Sequence, residues 1–299
     1  MKNSTDLPVI TLHAPEGWSD YQLLDSGDGK ILERFGPYTL IRPKPQAIWS
    51  KSLPQEAWQK AHATLQEGNN EYGGQWKLLK PMEKSWEMTY KTLRFQLQLS
   101  SSRHIGVFPE QASHWDWLTQ RIETGRKPMK VLNLFGYSGL ATLAAAKAGA
   151  EVTHVDASKH ALTWASYNLK LSGLADKPVR WIAEDALKFV KREVRRGSTY
   201  DGLIMDPPKF GRGSSGEVWD FFKKMPELLE ASRSLLSKDP SFIILTAYAI
   251  QASAVITAQA VQEIVGNTGN LVCGELVLVE ESAGHILSQA LFSRWTSEK

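Results

Sequence analysis

The segment Asp206-Pro207-Pro208-Lys209-Phe210 ends the apolar run YDGLIMD and leads into the glycine-rich stretch GRGSSGE. A carboxylate at the end of a buried strand is costly unless it has a partner. Consecutive prolines remove two backbone donors and fix φ at both positions. Their carbonyl oxygens are therefore aimed in set directions beside the Asp206 carboxylate. A planar amino group can give one hydrogen to the carboxylate and one to a carbonyl. Held in that way, it is driven toward a pyramidal shape with its lone pair exposed to an electrophile. Phe210 offers a flat surface for a base. Such chemistry is mostly orientation and electrostatics. The plainer alternative is that Asp206 orders a loop and the prolines stiffen it.

Other strand ends carry related features. In NLFGYSGL, Gly136 and Gly139 let the backbone approach a ligand closely, and Ser138 is placed to cap the next helix. An ordinary strand-to-helix turn is the alternative, and the dinucleotide pattern G-x-G-x-x-G is not met. Asp156 follows the next strand, about 20 residues on, where such folds put an acid on ribose hydroxyls. It could instead cap a helix, a role that Ser158 can also fill. Glu184 and Asp185 follow the third strand. An acid there can accept from the exocyclic amine of an adenine, although Asp185 equally suits a helix N-cap. Acids at successive strand ends beside a glycine turn suit a neutral or cationic adenosine and leave no cradle for a pyrophosphate. S-adenosylmethionine is such a ligand.

These residues need a scaffold. From residue 130 onward, short apolar strands alternate with helices that stop at Gly173, Gly197 and Gly266. This implies right-handed βαβ units and a mainly parallel sheet with helices on both faces. Ligands of such sheets bind beyond the carboxyl ends of the strands. The closing segments ELVLVEES and SQALFSRW lack a helix between them and imply an antiparallel pair at one edge. Pro226 is expected to kink or restart the helix EVWDFFKKMPELLEASRSLLS. Residues 1–102 read instead as short strands and turns around one helix, PQEAWQKAHATLQE. The expected division is a β-rich region over 1–102 and an α/β domain over 103–299.

Composition bounds the function. The 299 residues carry a net charge of +3, which permits an anionic partner without demanding one. With Cys273 the only cysteine, an intramolecular disulfide and a cysteine-rich zinc site are excluded. His104, His114 and His160 have no ligand-like spacing, so no metal is expected. The polar, proline-broken start is unlike a signal peptide, and apolar runs such as FIILTAYAI are too short to span a bilayer. A cytoplasmic protein without a membrane partner is expected. Lys209 and Arg212 lie beside the motif, where they can meet phosphates. The cluster Lys188, Lys191, Arg192, Arg195 and Arg196 reads first as a solvated helix face.

VLNLFGYSGLATLAAAKAGAEVTHVDASKHALTWASYNLKLSGL followed by DPPKF resembles the class I S-adenosylmethionine-dependent methyltransferases. Within them it is most similar to the bacterial family that includes the 23S ribosomal RNA cytosine-C5 methyltransferases. The resemblance covers residues 103–299, with HIGVFPEQ similar to that family's entry to the catalytic domain. It implies a Rossmann-like, seven-stranded sheet whose last strand is antiparallel. It implies that Asn133, Phe135, Gly136, Tyr137, Ser138 and Gly139 line the methionine and ribose side. Asp156, with Ala157 and Ser158, would hold the ribose, and Glu184, Asp185 and Ala186 the adenine. The motif from Asp206 to Phe210 resembles the (D/N)PP(Y/F) motif of amino-group methyltransferases.

The chain departs from the cytosine-C5 pattern. That reaction needs a thiolate to add to the ring, and the related enzymes carry it just after the fifth strand. Here the matching stretch is LTAYAIQAS, with Tyr248 and no cysteine. Cys273 is expected to be a buried structural residue. Transfer to a nitrogen or oxygen is therefore expected, with ribosomal RNA as substrate and Tyr248 near the target. A protein or small-molecule acceptor, a non-catalytic RNA-binding module of this fold and a nucleotide-dependent dehydrogenase are the alternatives.

Overall fold

The computed structural model describes residues 8–67, 74–100, 103–125, 128–213 and 216–297. The chain divides into two compact units: 1–13 with 113–276 and 289–299, and 14–112 with 277–288. The line drawn at 102/103 is thus crossed in both directions. Strand β1 (Ile10–His13) belongs to the larger unit, although it lies in the expected β-rich region.

The smaller unit holds β2 (Tyr21–Gly27), β3 (Lys30–Phe35), β4 (Tyr38–Pro43), α1 (Gln55–Trp58), β5 (Ala63–Glu67), β6 (Gly74–Leu78), β7 (Ser85–Tyr90) and β8 (Leu93–Gln98). β2 to β6 form a five-stranded sheet in sequence order, and β7 pairs with β8. The helix expected over PQEAWQKAHATLQE is overturned in its second half. Only Gln55–Trp58 is helical, and Ala63–Glu67 is a strand between β4 and β6. Pairing with two neighbours outweighs the helix propensity of those residues.

This unit buries acids and pairs them. Glu33 is fully buried, takes a bidentate pair from Arg42 (2.6 and 2.8 Å) and accepts from the Tyr21 hydroxyl (2.8 Å). Asp25, also fully buried, accepts from Ser52 N, Leu53 N, Trp58 Nε1 and Ser282 Oγ. Burial alone would raise the Asp25 pKa; those bonds outweigh it and hold the carboxyl below its ordinary value.

The larger unit continues with α2 (Ala112–Thr124), β9 (Lys130–Leu134), α3 (Leu140–Lys147), β10 (Glu151–Asp156), α4 (Lys159–Leu171), β11 (Val179–Ala183), α5 (Ala186–Arg195) and β12 (Gly202–Met205). Then follow β13 (Phe210–Arg212), β14 (Val218–Asp220), α6 (Phe221–Arg233), β15 (Phe242–Ala247), α7 (Ala254–Val265), β16 (Asn270–Val279) and β17 (Ile286–Thr296). The main sheet has the order β1-β16-β17-β15-β12-β9-β10-β11. Among the described residues it has eight strands rather than the expected seven, because β1 adds in parallel to β16. For the same reason the two closing strands do not form the sheet edge. β17 runs antiparallel to β15, as the last strand was expected to.

β12 and β15 are buried at every position, the pattern of strands covered on both faces. Leu132, Leu134, Leu203, Met205, Ile243 and Leu245 share one core with Phe189 and Val190 of α5, Leu228 and Leu229 of α6, and Val261 and Ile264 of α7. Each such side chain contributes about 1.5–3 kcal/mol. That rigid block fixes the strand ends. Pro226 lies inside a continuous α6, so the expected restart does not occur. The helix begins later than expected, because Val218–Asp220 form β14.

Candidate active site

The parallel strands β12, β9, β10 and β11 end at one level. Leu134 is in register with Val155 and Met205, and Asp156 with Ala183. The residues just beyond are joined by backbone bonds: Gly136 N to Val155 O (3.1 Å), Glu184 N to Asp156 O (3.2 Å) and Asp206 N to Leu134 O (3.4 Å). The glycine turn, Asp156, the Glu184–Asp185 pair and Asp206 thus follow the ends of four adjacent strands along one edge.

The turn after β9 is strained. Phe135 (φ 60°), Tyr137 (φ 47°) and Gly139 (φ 89°) all adopt left-handed conformations. For Phe135 and Tyr137 this is unfavourable and needs surroundings that enforce it. At Gly136 a Cβ would lie 2.3 Å from Cε1 of the His154 ring, and at Gly139 one would lie 2.7 Å from Ala165 Cβ. His154 is completely buried, and burial pushes its pKa down to about 3, so it stays neutral. Its Nδ1 bonds Thr142 Oγ1 (2.8 Å), which accepts from Asn133 Nδ2 (2.9 Å). Asn133 therefore acts inside the protein, bracing the turn from below. Sequence reasoning missed His154; a histidine within the apolar strand EVTHVD was the available signal. Ser138 does not cap α3 as expected. Gly139 is the N-cap, with no side-chain cap bond, while the Ser138 carbonyl accepts from Asn168 Nδ2 (3.0 Å).

Asp156 does not cap α4; Ser158 does, accepting from Ala161 N (3.2 Å). The Asp156 carboxylate is instead oriented by two backbone donors, Tyr137 N to Oδ2 (2.9 Å) and Ser158 N to Oδ1 (2.8 Å). A carboxylate has about four acceptor sites, so two remain, the number a vicinal diol fills. Burial pushes the Asp156 pKa up, and the two backbone bonds only partly offset this. Ala157 lies half-buried between these residues. Asp185 caps α5 through Oδ1, accepting from Lys188 N (2.9 Å), and Ala186 is the first, buried residue of that helix. Glu184 pairs with Arg192 (2.5 Å).

Asp206 and Pro207 continue β12, with Pro207 buried and Pro208 exposed. The Pro208 carbonyl accepts from Trp219 Nε1 (2.7 Å), so of the two prolyl carbonyls expected as acceptors this one is engaged. The Trp219 ring meets Phe135 edge-on at 4.8 Å. Trp219 therefore ties the proline segment to the glycine turn. It was missed because EVWDFF reads as helix. Phe210 and Arg212 sit on β13, pair with Asp220 and Val218, and are exposed; Lys209 is half-buried. Ser214 and Ser215 of the expected mobile loop lie outside the described residues. Tyr248 follows β15 and packs on Leu276, Ala290 and Phe292. Cys273 is buried against Ala254 and Ala258, and burial raises its pKa.

The helix α5 cluster is largely ion-paired. Lys188 meets Glu217, Lys191 meets Glu227 and Arg196 meets Glu193. Among the described residues no group of three or more His, Cys, Asp or Glu could hold a metal ion. No helix there is long and apolar enough to cross a membrane.

A left-handed turn that brings backbone close, beside an oriented carboxylate, fits an adenosine and opposes a phosphate. Comparison with known proteins agrees. The family model described as S-adenosylmethionine-dependent methyltransferase matches residues 36–260, so it begins well upstream of 103. A ribosomal RNA large subunit methyltransferase K/L from a Shewanella species is 33% identical over 127 residues, 42% of this chain and 17% of that protein. The protein of the same name from Magnetococcus marinus is 31% identical over 150 residues, 49% of this chain and 20% of its own length. The chain thus spans a fifth or less of these curated relatives. The crystal structure of a SAM-dependent methyltransferase from Agrobacterium tumefaciens is 44% identical, with a TM-score of 0.93 over 100% of this chain and 98% of that one. With a family model matching most of its length, the chain belongs to the S-adenosylmethionine-dependent methyltransferases.

Proposed function

We propose that this chain methylates an exocyclic amino group of a base in RNA, with ribosomal RNA as the substrate. The observation that carries the reading is the placement of Asp206-Pro207-Pro208 at the end of β12, fastened through Trp219 to the glycine turn of β9. The RNA assignment draws support from the names of the curated relatives and from Lys209 and Arg212 beside the motif.

S-adenosylmethionine, when bound, supplies an electrophilic methyl group. Asp156 would take the ribose hydroxyls through its two remaining acceptor sites. Glu184, Asp185 and Ala186 would flank the adenine, with Asp185 committing only Oδ1 to its cap. Phe135, Gly136, Tyr137, Ser138 and Gly139 would present backbone to the rest of the molecule, and Asn133 would brace that turn through Thr142. The Asp206 carboxylate and the Pro207 carbonyl would each accept one hydrogen of the target amine. Pro208 would hold the segment in place, one lone pair of its carbonyl being taken by Trp219. Phe210 would stack on the base, Tyr248 would border it, and Lys209 and Arg212 would meet phosphates. The β-rich residues of 1–102 would serve as an accessory region for the substrate.

Nitrogen rather than carbon 5 is favoured by two features. A carboxylate beside a prolyl carbonyl suits an amine. Cys273 lies on β16, two places from β15 in the sheet, buried among alanines. The test is transfer of labelled methyl to RNA from cells lacking the gene, with wild-type and Asp206→Ala protein, followed by nucleoside analysis. Label on an amino nitrogen, lost in the variant, supports the reading. Tight cofactor binding with no label in RNA overturns the RNA assignment, and label on a ring carbon overturns the amino-group assignment.

A further inference from the structure

Within the larger unit, a buried arginine lies beside two histidines and two aromatic rings. Phe292 and Arg294 of β17 are two residues apart and share a face of the sheet. His114 and Trp117 are three apart on α2 and share a helix face. These faces meet. The Arg294 guanidinium carbon lies 4.7 Å from the Phe292 ring centre and 5.3 Å from that of Trp117. The rings of His114 and His13 both approach Phe292 edge-on, at 5.4 and 5.1 Å.

Arg294 is 5% exposed and His114 3%. Among the described residues, Nη2 of Arg294 and both ring nitrogens of His114 are buried with no hydrogen-bond partner. Arginine and lysine are rarely buried this far without pairing, and a lone buried charge is expensive. The aromatic faces offset part of that cost by cation–π attraction but accept no hydrogen bond in the plane of the guanidinium. Burial lowers the Arg294 pKa only to about 10, so it remains charged at neutral pH. Burial, and then the charge of Arg294, hold His13 down at about 4, and the same two causes with His13 hold His114 well below its ordinary range. The charge of Arg294 therefore disfavours protonation of both histidines, and a negative charge beside them would be welcomed.

We propose that Arg294, His114 and His13 form an internal site for a small monovalent inorganic anion of the chloride type, held against Phe292 and Trp117. Nη2 of Arg294 and one ring N–H of neutral His114 are the buried donors. His13 is only half-buried, so it is the member of the group within reach of solvent. A single charge matches the single net positive charge of the cluster. A doubly charged oxyanion would bring an excess charge into an apolar surrounding and lose far more hydration.

The direct test is diffraction from crystals of the full chain in which bromide replaces chloride. The expected result is an anomalous peak within hydrogen-bond reach of Arg294 Nη2 and a His114 ring nitrogen. In solution, thermal unfolding is compared in potassium chloride and potassium gluconate at equal ionic strength, gluconate being a far bulkier anion than chloride. Chloride at ten times its dissociation constant should raise Tm by about 2–5 °C, and Arg294→Met should abolish that difference. Should Arg294→Met fail to fold, His114→Phe serves in its place, keeping a ring while removing both nitrogens. Absence of the bromide peak, or a chloride effect that is absent from the wild type or equal in the variant, overturns the proposal.

Discussion

Asp25 in the smaller unit and Asp156 in the larger are both aspartates withdrawn from water, yet four donors surround the first and two the second. Burial raises both pKa values, but the outcome differs in sign: Asp25 ends below the ordinary value and Asp156 above it. A saturated carboxylate stabilises the fold that satisfies it. An under-coordinated one costs stability and is retained where something else will complete it. The left-handed Phe135 and Tyr137 flank the turn whose Tyr137 N–H holds the Asp156 carboxylate.

Several substitutions would sharpen this contrast. The largest effect is expected at Asp206→Ala, which should lower the methyl-transfer rate by about 10³-fold while leaving the cofactor dissociation constant nearly unchanged by calorimetry. Asp25→Ala should destabilise the protein by about 3–5 kcal/mol in denaturant unfolding, because it strands Trp58 Nε1 and two backbone N–H groups in the interior. Asp156→Asn should weaken cofactor binding about 10–100-fold and, by turning an amide NH2 toward one of two backbone N–H groups, cost only about 1–2 kcal/mol of stability. Equal stability losses at the two aspartates would break the comparison. Trp219→Phe keeps the ring against Phe135 and removes the bond to Pro208 O; it should cost about tenfold in rate, roughly one charge-free hydrogen bond.

The pH dependence carries the smallest effect and the clearest sign. The contribution of Asp25 is present above 3.8 and is lost as pH falls through its lowered pKa. Asp156, with a raised pKa, favours the folded state most when protonated, and that advantage is lost as pH rises through its raised value. Cofactor binding should follow the ionised form of Asp156. It should therefore weaken, on acidification, at a higher pH than an ordinary aspartate would give, with global stability still intact. Titration by calorimetry at a series of pH values checks this, and binding that fails only where the protein unfolds would contradict it.

Much of the site was legible because its signals are local. Strand ends, glycine stops and the Asp206-Pro207-Pro208 segment can be read within windows of about ten residues, and the regular alternation after residue 130 places them on one edge. What escaped was non-local. β1 joins the main sheet by pairing Ile10 with Cys273, and no short window contains both. Ala63–Glu67 has the composition of a helix and becomes a strand through its two neighbours. The role of Trp219 depends on a carbonyl eleven residues away and a ring in another turn. Asp185 was open between adenine contact and N-cap, and the cap is formed.

The assignment of residues 277–288 to the smaller unit bears on how the chain is made. The serine that completes the shell of Asp25, Ser282, is synthesised 257 positions after it. During synthesis, Asp25 would therefore wait inside a nascent sheet with one donor missing while nearly the whole larger unit emerges. β1 waits as long for β16. Folding in order of synthesis, the usual course for consecutive domains, is closed to this chain. Neither unit can be finished first, and a ribosome stalled before residue 277 would hold two incomplete structures rather than one folded domain and one tail.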